Sequence, residues 1–357
     1  MPVPSVEQQQ QQQEKEITGP CLEVLASAEF INQHSQDVTV PALGVQQAAM
    51  TILEHMQQAN YTPATWRTHT LNPQTADDSA LEWIFLVDLL NFSFWTAPQE
   101  TPHTVTVDGI CYSGYWALPA AIRRAREEDG GLDLTDARVY QSIGRQQWAH
   151  VMRSDAPKAR MPMLDERLEV LHQAGQLLCD KYDGKFANLL RECGGSAERL
   201  VRRVVREFPS FRDTHEFQGR SVALYKRAQI LAADVWACFE GQGAGCLEDV
   251  ERLTMFADYR VPQTLVYFGA LRYSDGLRDG LARMQREGGE LPSGHPWEVE
   301  IRGNSVWAVE CMRRHIRKTT GQDVSAVLID FYMWDYAKAH ATEMQEIPIH
   351  HTRSVYY

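Results

Sequence analysis

The chain has 357 residues, 44% of them hydrophobic, and a formal charge of −12 at pH 7. That length fits one large domain or two, and that apolar content builds an ordinary core. The acidic balance argues against a broad nucleic-acid surface, which is usually basic, and suits a small substrate whose own charge meets a local basic pocket.

Residues 1–18 include six consecutive glutamines, Gln8–Gln13, and read as a disordered tail without chemistry. From Gly19 onward the composition is globular. CLEVLASAEFINQHS and VQQAAMTILEHMQQA carry apolar residues at helical spacing, and the Asn-Pro of WRTHTLNP marks a turn. SALEWIFLVDLLNFSFWT (79–96) is the most apolar stretch, and its period fits either a buried helix or two strands. Asp88 and Asn91, with the smaller hydroxyls Ser93 and Thr96, are its polar members after Glu82. A carboxylate there needs a partner or a proton, so the pair serves as an internal hydrogen bond or recognises a base. The alternation of TVTVDGI predicts a short hairpin strand, and Gly114-Tyr115-Trp116 leads into a helix with Pro119 in its first turn. Residues 135–207 read as successive helices, with DERLEVL placing acids in a first turn.

The stretch from Gly219 to Gln263 organises the rest. Leu224, Ala228, Leu231, Val235 and Phe239 form one apolar helical stripe, and Lys226 points away from it toward water or a cleft. Gly241, Gly243 and Gly245 end that helix; following a helix, they are no dinucleotide fingerprint. FADYR (256–260) then holds an acid among aromatics. After Pro262 come TLVYFGALRYSDGLRDGLARM, WEVEIRGNSVWAVECMRRHIRKTTG and VSAVLIDFYMWDYAKAHATEM, all read as helical. No low-complexity linker divides residues 19–357. The expectation is a mainly α fold with a small β element: one compact unit of two helical lobes with a cleft between them. The seven cysteines are scattered, odd in number and without Cys-x-x-Cys, which predicts a reduced protein of the cytosol or nucleus. No apolar run is long enough for a membrane span.

No metal site is indicated, because His350 and His351 are adjacent and no His-x-x-x-His pair carries a glutamate between. Serine-hydrolase and phosphate-loop motifs are missing too. What remains is a set of acids among aromatic residues: Asp258 between Phe256 and Tyr259, and Asp330 and Asp335 bracketing Phe331 and Trp334. An aspartate of this kind, taken singly, is ordinarily a helix cap in an aromatic core. Together such residues stack a flat heterocycle and place a carboxylate beside a ribose, where it stabilises an oxocarbenium-like centre as an N-glycoside breaks. Lys226, Arg227 and Arg260 could meet a phosphate, as could Arg302 and Arg353, and His69 could donate to a base or ribose.

WRTHTLNP, DLLNFSFW, YSGYWALPAAIRRA, FRDTHEFQGRSVALYKRAQILAADVW, LTMFADYRVPQ, EIRGNSVWAVE, DFYMWDYA and TRSVYY occur in this order. In these segments the chain resembles the queuosine 5′-phosphate N-glycosylase/hydrolase family, also called the queuosine salvage proteins, over essentially all of residues 20–357. The resemblance implies a mainly helical fold similar to helix-hairpin-helix DNA glycosylases. It also implies release of queuine from queuosine 5′-monophosphate, with ribose 5-phosphate left and no metal or organic cofactor. Asp258 falls where that fold keeps its catalytic aspartate, and Lys226 in the preceding helix, where some of those enzymes keep a lysine. His69, Phe256, Asp330, Phe331 and Asp335 fall in segments expected to hold base and ribose. The chain's acidity suits a mononucleotide and not DNA. The competing expectation, from another class, is a non-catalytic nucleotide- or nucleic-acid-binding protein on a glycosylase-like fold.

Overall fold

The computed structural model describes residues 19–128 and 130–357, so the tail expected over residues 1–18 lies outside the described residues. The first half contains α1 (Pro20–His34), β1 (Val38–Thr39), α2 (Ala42–Gln58), α3 (Asp78–Leu89), β2 (Thr104–Val107), β3 (Ile110–Ser113), α4 (Ala117–Glu127), α5 (Ala137–Tyr140), α6 (Arg145–Val151) and α7 (Leu164–Tyr182). The second half contains α8 (Phe186–Glu192), α9 (Ala197–Glu207), β4 (Thr214–Phe217), β5 (Arg220–Ala223), α10 (Lys226–Cys238), α11 (Val261–Tyr267), β6 (Arg272–Tyr273), α12 (Asp275–Glu287), α13 (Pro296–Thr320) and α14 (Ala326–Ala339). Among the described residues the fold is mainly helical, and the strands form three antiparallel pairs, β1–β6, β2–β3 and β4–β5.

Local chemistry sets most of the boundaries. Asp77, Ser196, Ser274 and Ser325 each accept a backbone N–H from the first turn of the helix that follows. The β2–β3 turn is Asp108-Gly109, both at positive φ, as a two-residue hairpin needs. Gln218-Gly219 does the same for β4–β5. This second hairpin departs from the expectation of a helix opening near Gly219. Tyr225, at φ 46°, breaks the chain direction, and α10 begins only at Lys226. The apolar stripe counted from Leu224 is therefore helical only from Ala228. The TLVYFGALRYSDGLRDGLARM stretch also divides: Gly269, at φ 76°, follows the end of α11, β6 pairs with β1, and Ser274 starts α12. Residues 79–96 resolve into α3 and an extended segment after Leu89.

The 25-residue α13 packs against α1, α2, α11 and α14. Its contact with α1 depends on Gly303, where a Cβ would lie 2.5 Å from Ile31 Cδ1. Buried apolar side chains from Cys21 to Met333 form one connected cluster, and a satellite holds Ile31, Phe217, Val222, Leu224 and Val299. α10 lies against α3, α9 and the 3₁₀ turn Pro63–Thr68, and α11 against α14. The last residues return to the core: Ser93 donates its N–H to Tyr357 O (2.9 Å), and Trp95 Nε1 donates to Thr352 O (3.0 Å).

Candidate active site

Where α10, α14 and the extended segments meet, a cavity of about 570 Å³ opens. Two helices supply ladders of side chains to its wall. Lys226, Ile230 and Asp234 come from one face of α10, each four residues on; Asp330, Trp334 and Lys338 repeat that spacing on α14. Phe331 and Asp335 extend the α14 face, and Phe256, Asp258 and Arg260 come from the segment before α11. His69 and Asn91 complete the expected residues on the lining. Asp88 is different: it is buried off the cavity surface and reaches it only through Asn91, whose Nδ2 lies 3.5 Å from Asp88 Oδ1.

One buried lysine feels the charge of several acids. Asp258 Oδ1 accepts the N–H groups of Arg260 (2.8 Å) and Val261 (2.7 Å), which fixes the carboxylate at the start of α11. Burial pushes the Asp258 carboxyl upward, and the Lys226 ammonium opposes that push. Burial likewise lowers Lys226, and Asp258 is the strongest of the charges that hold its proton on. Asp330 accepts the N–H of Phe256 (2.9 Å), so it anchors the strand-like run leading to Asp258. Its carboxyl is raised well above the ordinary value by burial and then by the Asp258 charge. Gln229 pins the same run from α10: its Oε1 accepts Thr254 N–H at 2.9 Å. Asp88 and Asp234 form a second acid pair. Both are raised, first by burial, and the Asp88 charge adds to the rise of Asp234. Asp88 Oδ2 has no hydrogen-bond partner, and burial together with the neighbouring acid favours the protonated form in this pair.

Aromatic rings make the outer walls. His69 lies flat on Trp116, with ring centroids 3.3 Å apart and planes 8° from parallel. Its Nδ1 accepts the N–H of Leu71 (3.2 Å), and burial lowers its pKa, so a neutral ring with hydrogen on Nε2 faces the cavity. Trp116 and Tyr115 meet Trp334 edge-on at 6.1 and 5.9 Å, and Phe256 lies 6.0 Å from Phe331. Asp335 and Lys338 are exposed at the mouth. Asp335 is no helix cap, since Ser325 caps α14; its Oδ2 instead accepts the Tyr61 hydroxyl (2.5 Å). Arg260 donates to Gln263 Oε1 (3.2 Å) and stays on the lining.

Three arginines considered for an anion are committed elsewhere. Arg227 donates to Asp88 O (3.0 Å), Leu89 O and Ser210 O; Arg353 donates to Trp95 O (2.9 Å); Arg302 is fully buried against Asp213 and Glu298. Sequence reasoning missed Asp234, Trp116, Lys338 and Tyr61. The four-residue step from Lys226 to Asp234, and that from Trp334 to Lys338, were the available signals for two of them. Among the described residues no group of three or more His, Cys, Asp or Glu side chains is placed to hold a metal ion, and no helix is long and apolar enough to cross a membrane.

The cavity thus gathers a buried lysine, several carboxyls, aromatic walls and two cations at its rim. The family model described as Queuosine salvage protein matches residues 71–357. A Mus musculus protein named queuosine 5′-phosphate N-glycosylase/hydrolase is 42% identical over 346 residues, covering 95% of this chain and 100% of its own. Proteins of the same name from Schizosaccharomyces pombe (38% identical, 94% of this chain and 99% of its own) and Sphaerobacter thermophilus (36%, 95% and 99%) also match. The chain therefore belongs to the queuosine salvage protein family.

Proposed function

We propose that this chain hydrolyses the N-glycosidic bond of queuosine 5′-monophosphate, releasing queuine and ribose 5-phosphate and so returning queuine for tRNA modification. The observation that carries this reading is the placement of Lys226, Asp258 and Asp330 in one aromatic-walled cavity whose size suits a mononucleotide.

Queuine is a 7-deazapurine, so it lacks the ring nitrogen that other purine-cleaving enzymes protonate to improve the leaving group. The reaction then depends on stabilising the ribose cation and on hydrogen bonds to the departing base. Asp258 suits the first task. Lys226 favours its ionised form against burial, and the two backbone N–H groups fix one oxygen, so a preorganised negative charge faces the sugar. The C1′–N bond breaks with its electron pair leaving on the base, which takes up one proton; a water oxygen bonds to C1′, keeps one of its protons as the new hydroxyl and gives up the other, so that no net proton is gained or lost. Asp234, whose protonated form burial and the Asp88 charge favour, and His69 through Nε2–H are the donors suited to the leaving base. Trp116, Phe256, Phe331 and Trp334 provide faces for stacking. Arg260 and Lys338 suit the 5′-phosphate, and Asp335 suits the cationic aminomethyl group of queuine.

Incubation of the purified protein with queuosine 5′-monophosphate tests this reading. Free queuine and ribose 5-phosphate should accumulate in equal amounts over many turnovers. Tight binding of the nucleotide without either product would reduce the protein to a nucleotide binder.

A further inference from the structure

Lys226 and Asp258 sit on segments 32 positions apart, and Asp258 meets its own helix only through the Arg260 and Val261 N–H groups. Lys226 is the first residue of α10, directly after Tyr225 at positive φ. Asp258 stands in an extended run before α11. Gln229 ties α10 to Thr254 and Asp330 holds Phe256, but neither bond reaches the Lys226 N–H or the Ala257 carbonyl next to Asp258.

We infer that Arg302 and Asp213 form a buried positioning bridge that sets the distance between Lys226 and Asp258. The inference rests on the catalytic reading of those two residues given above. Asp213 holds the Lys226 side: its Oδ2 accepts the Lys226 N–H (3.1 Å), and its carbonyl accepts the Leu224 N–H (2.9 Å). Arg302 holds the other side: its Nε donates to the carbonyl of Ala257 (2.8 Å), one residue before Asp258. The two then grip each other, with Nη2 on Asp213 Oδ2 at 2.6 Å and Nη1 on Asp213 Oδ1 at 3.0 Å. The guanidinium is a rigid planar fork, so its Nε and Nη2 groups fix carbonyl and carboxylate relative to one another. Burial pushes Asp213 upward, but Arg302 and His215 outweigh it and keep the carboxylate ionised. The ring of Tyr357 covers the guanidinium at 3.9 Å and itself lines the cavity. Arg302 is absent from that lining and fully buried, so it acts through the backbone of its partners and not on substrate.

Glu298 provides an internal control. It accepts from Arg302 Nη1 (3.1 Å) and from Gly294 N–H, and touches neither catalytic segment. Arg302→Lys keeps the charge and loses the fork. A misplacement of about 1 Å at a reacting centre costs roughly 10²-fold.

The test compares Arg302→Lys, Asp213→Asn and Glu298→Gln with the wild type. Each is checked for folding by thermal melting, and kcat, KM and the pH–rate profile are measured on queuosine 5′-monophosphate. Arg302→Lys and Asp213→Asn should lose about 10- to 10²-fold in kcat, with KM nearly unchanged and the limbs of the pH profile displaced. Displacement follows because the Lys226 and Asp258 charges then act on one another from a different distance. Glu298→Gln should melt earlier yet keep kcat and the profile. If Arg302→Lys does not fold, Asp213→Asn against Glu298→Gln makes the same comparison. A folded bridge variant with undiminished kcat and an unmoved profile overturns the bridge, as does a Glu298→Gln loss equal to that of Asp213→Asn. A wild type without turnover overturns the proposed reaction itself, and the bridge with it.

Discussion

The phosphate contact gives a prediction whose size follows from the cavity mouth. Arg260 lies half-buried on the lining, its Nη1 braced by Gln263, and Lys338 stands on the same wall, close enough for the two charges to oppose each other. Two like charges held together are relieved by an anion between them. A hydrogen bond to a charged group contributes about 1.5–3 kcal/mol. Arg260 should give a contribution of that order, and the exposed Lys338 less than about 1 kcal/mol, because solvent screens it. Together this is roughly 2–4 kcal/mol, or about 30- to 10³-fold in kcat/KM for the nucleotide over queuosine, at 1.4 kcal/mol per decade. Arg260→Met should therefore lower kcat/KM for the monophosphate by about 10- to 10²-fold while leaving the nucleoside nearly unaffected. Added salt should shrink the part due to Lys338. The assay is a four-cell comparison of wild type and Arg260→Met on both substrates. Equal losses on nucleotide and nucleoside would refute a phosphate role for Arg260.

The acids of the site carry a stability cost that pH reveals. Asp330 is raised above its unfolded value by burial, so its contribution favours folding at low pH and is lost as pH rises through the folded pKa. Asp330→Asn, which still accepts the Phe256 N–H, should melt higher than wild type at pH 8, with the difference closing near pH 4; a pH series of melting curves checks this. Trp116→Ala should weaken queuine binding by about 1–3 kcal/mol, the worth of one stacking partner, as read by calorimetry. Asp335→Ala should narrow the preference for queuosine 5′-monophosphate over guanosine 5′-monophosphate by roughly tenfold, since the cationic side chain loses a charge-assisted partner. An unchanged substrate ratio with a lowered melting temperature would assign Asp335 and its Tyr61 bond to stability alone.

The helices were legible because their caps and apolar periods are local. Ser196, Ser274 and Ser325 announce their helices, and Asp108-Gly109 announces its hairpin. The hairpin at Gln218-Gly219 was hidden because glutamine rarely takes positive φ and Val222–Leu224 can be counted into the helical stripe that follows. The candidate cluster was visible as acids beside aromatics in sequence, which is why Asp258, Asp330 and Asp335 were found. Asp234 was not: although Trp236 stands two residues on, the stretch reads as an apolar helical stripe, and the ring that joins it on the cavity wall, Trp66, lies 168 positions away. Pairing decides which charges are free, and pairing is long-range. Arg302 and Arg227 look like surface cations in sequence, yet Asp213, 89 positions away, and the carbonyls that end α3 consume them. Asp88, read either as an internal hydrogen-bonding group or as part of a base-recognising pair, sits behind the wall beside Asp234, with Asn91 between it and the cavity.

Asp258→Asn under single-turnover conditions, with enzyme in excess of queuosine 5′-monophosphate, tests the central claim most directly. Asparagine keeps the shape and can still accept the Arg260 and Val261 N–H groups, so the variant should fold and bind. Removing a preorganised charge of this kind costs on the order of 10²- to 10³-fold in the chemical step. Wild type should release one queuine per nucleotide in a rapid phase, and the variant should hold its nucleotide largely intact over the same time. Release by the folded variant at a rate within a few-fold of wild type would contradict the account.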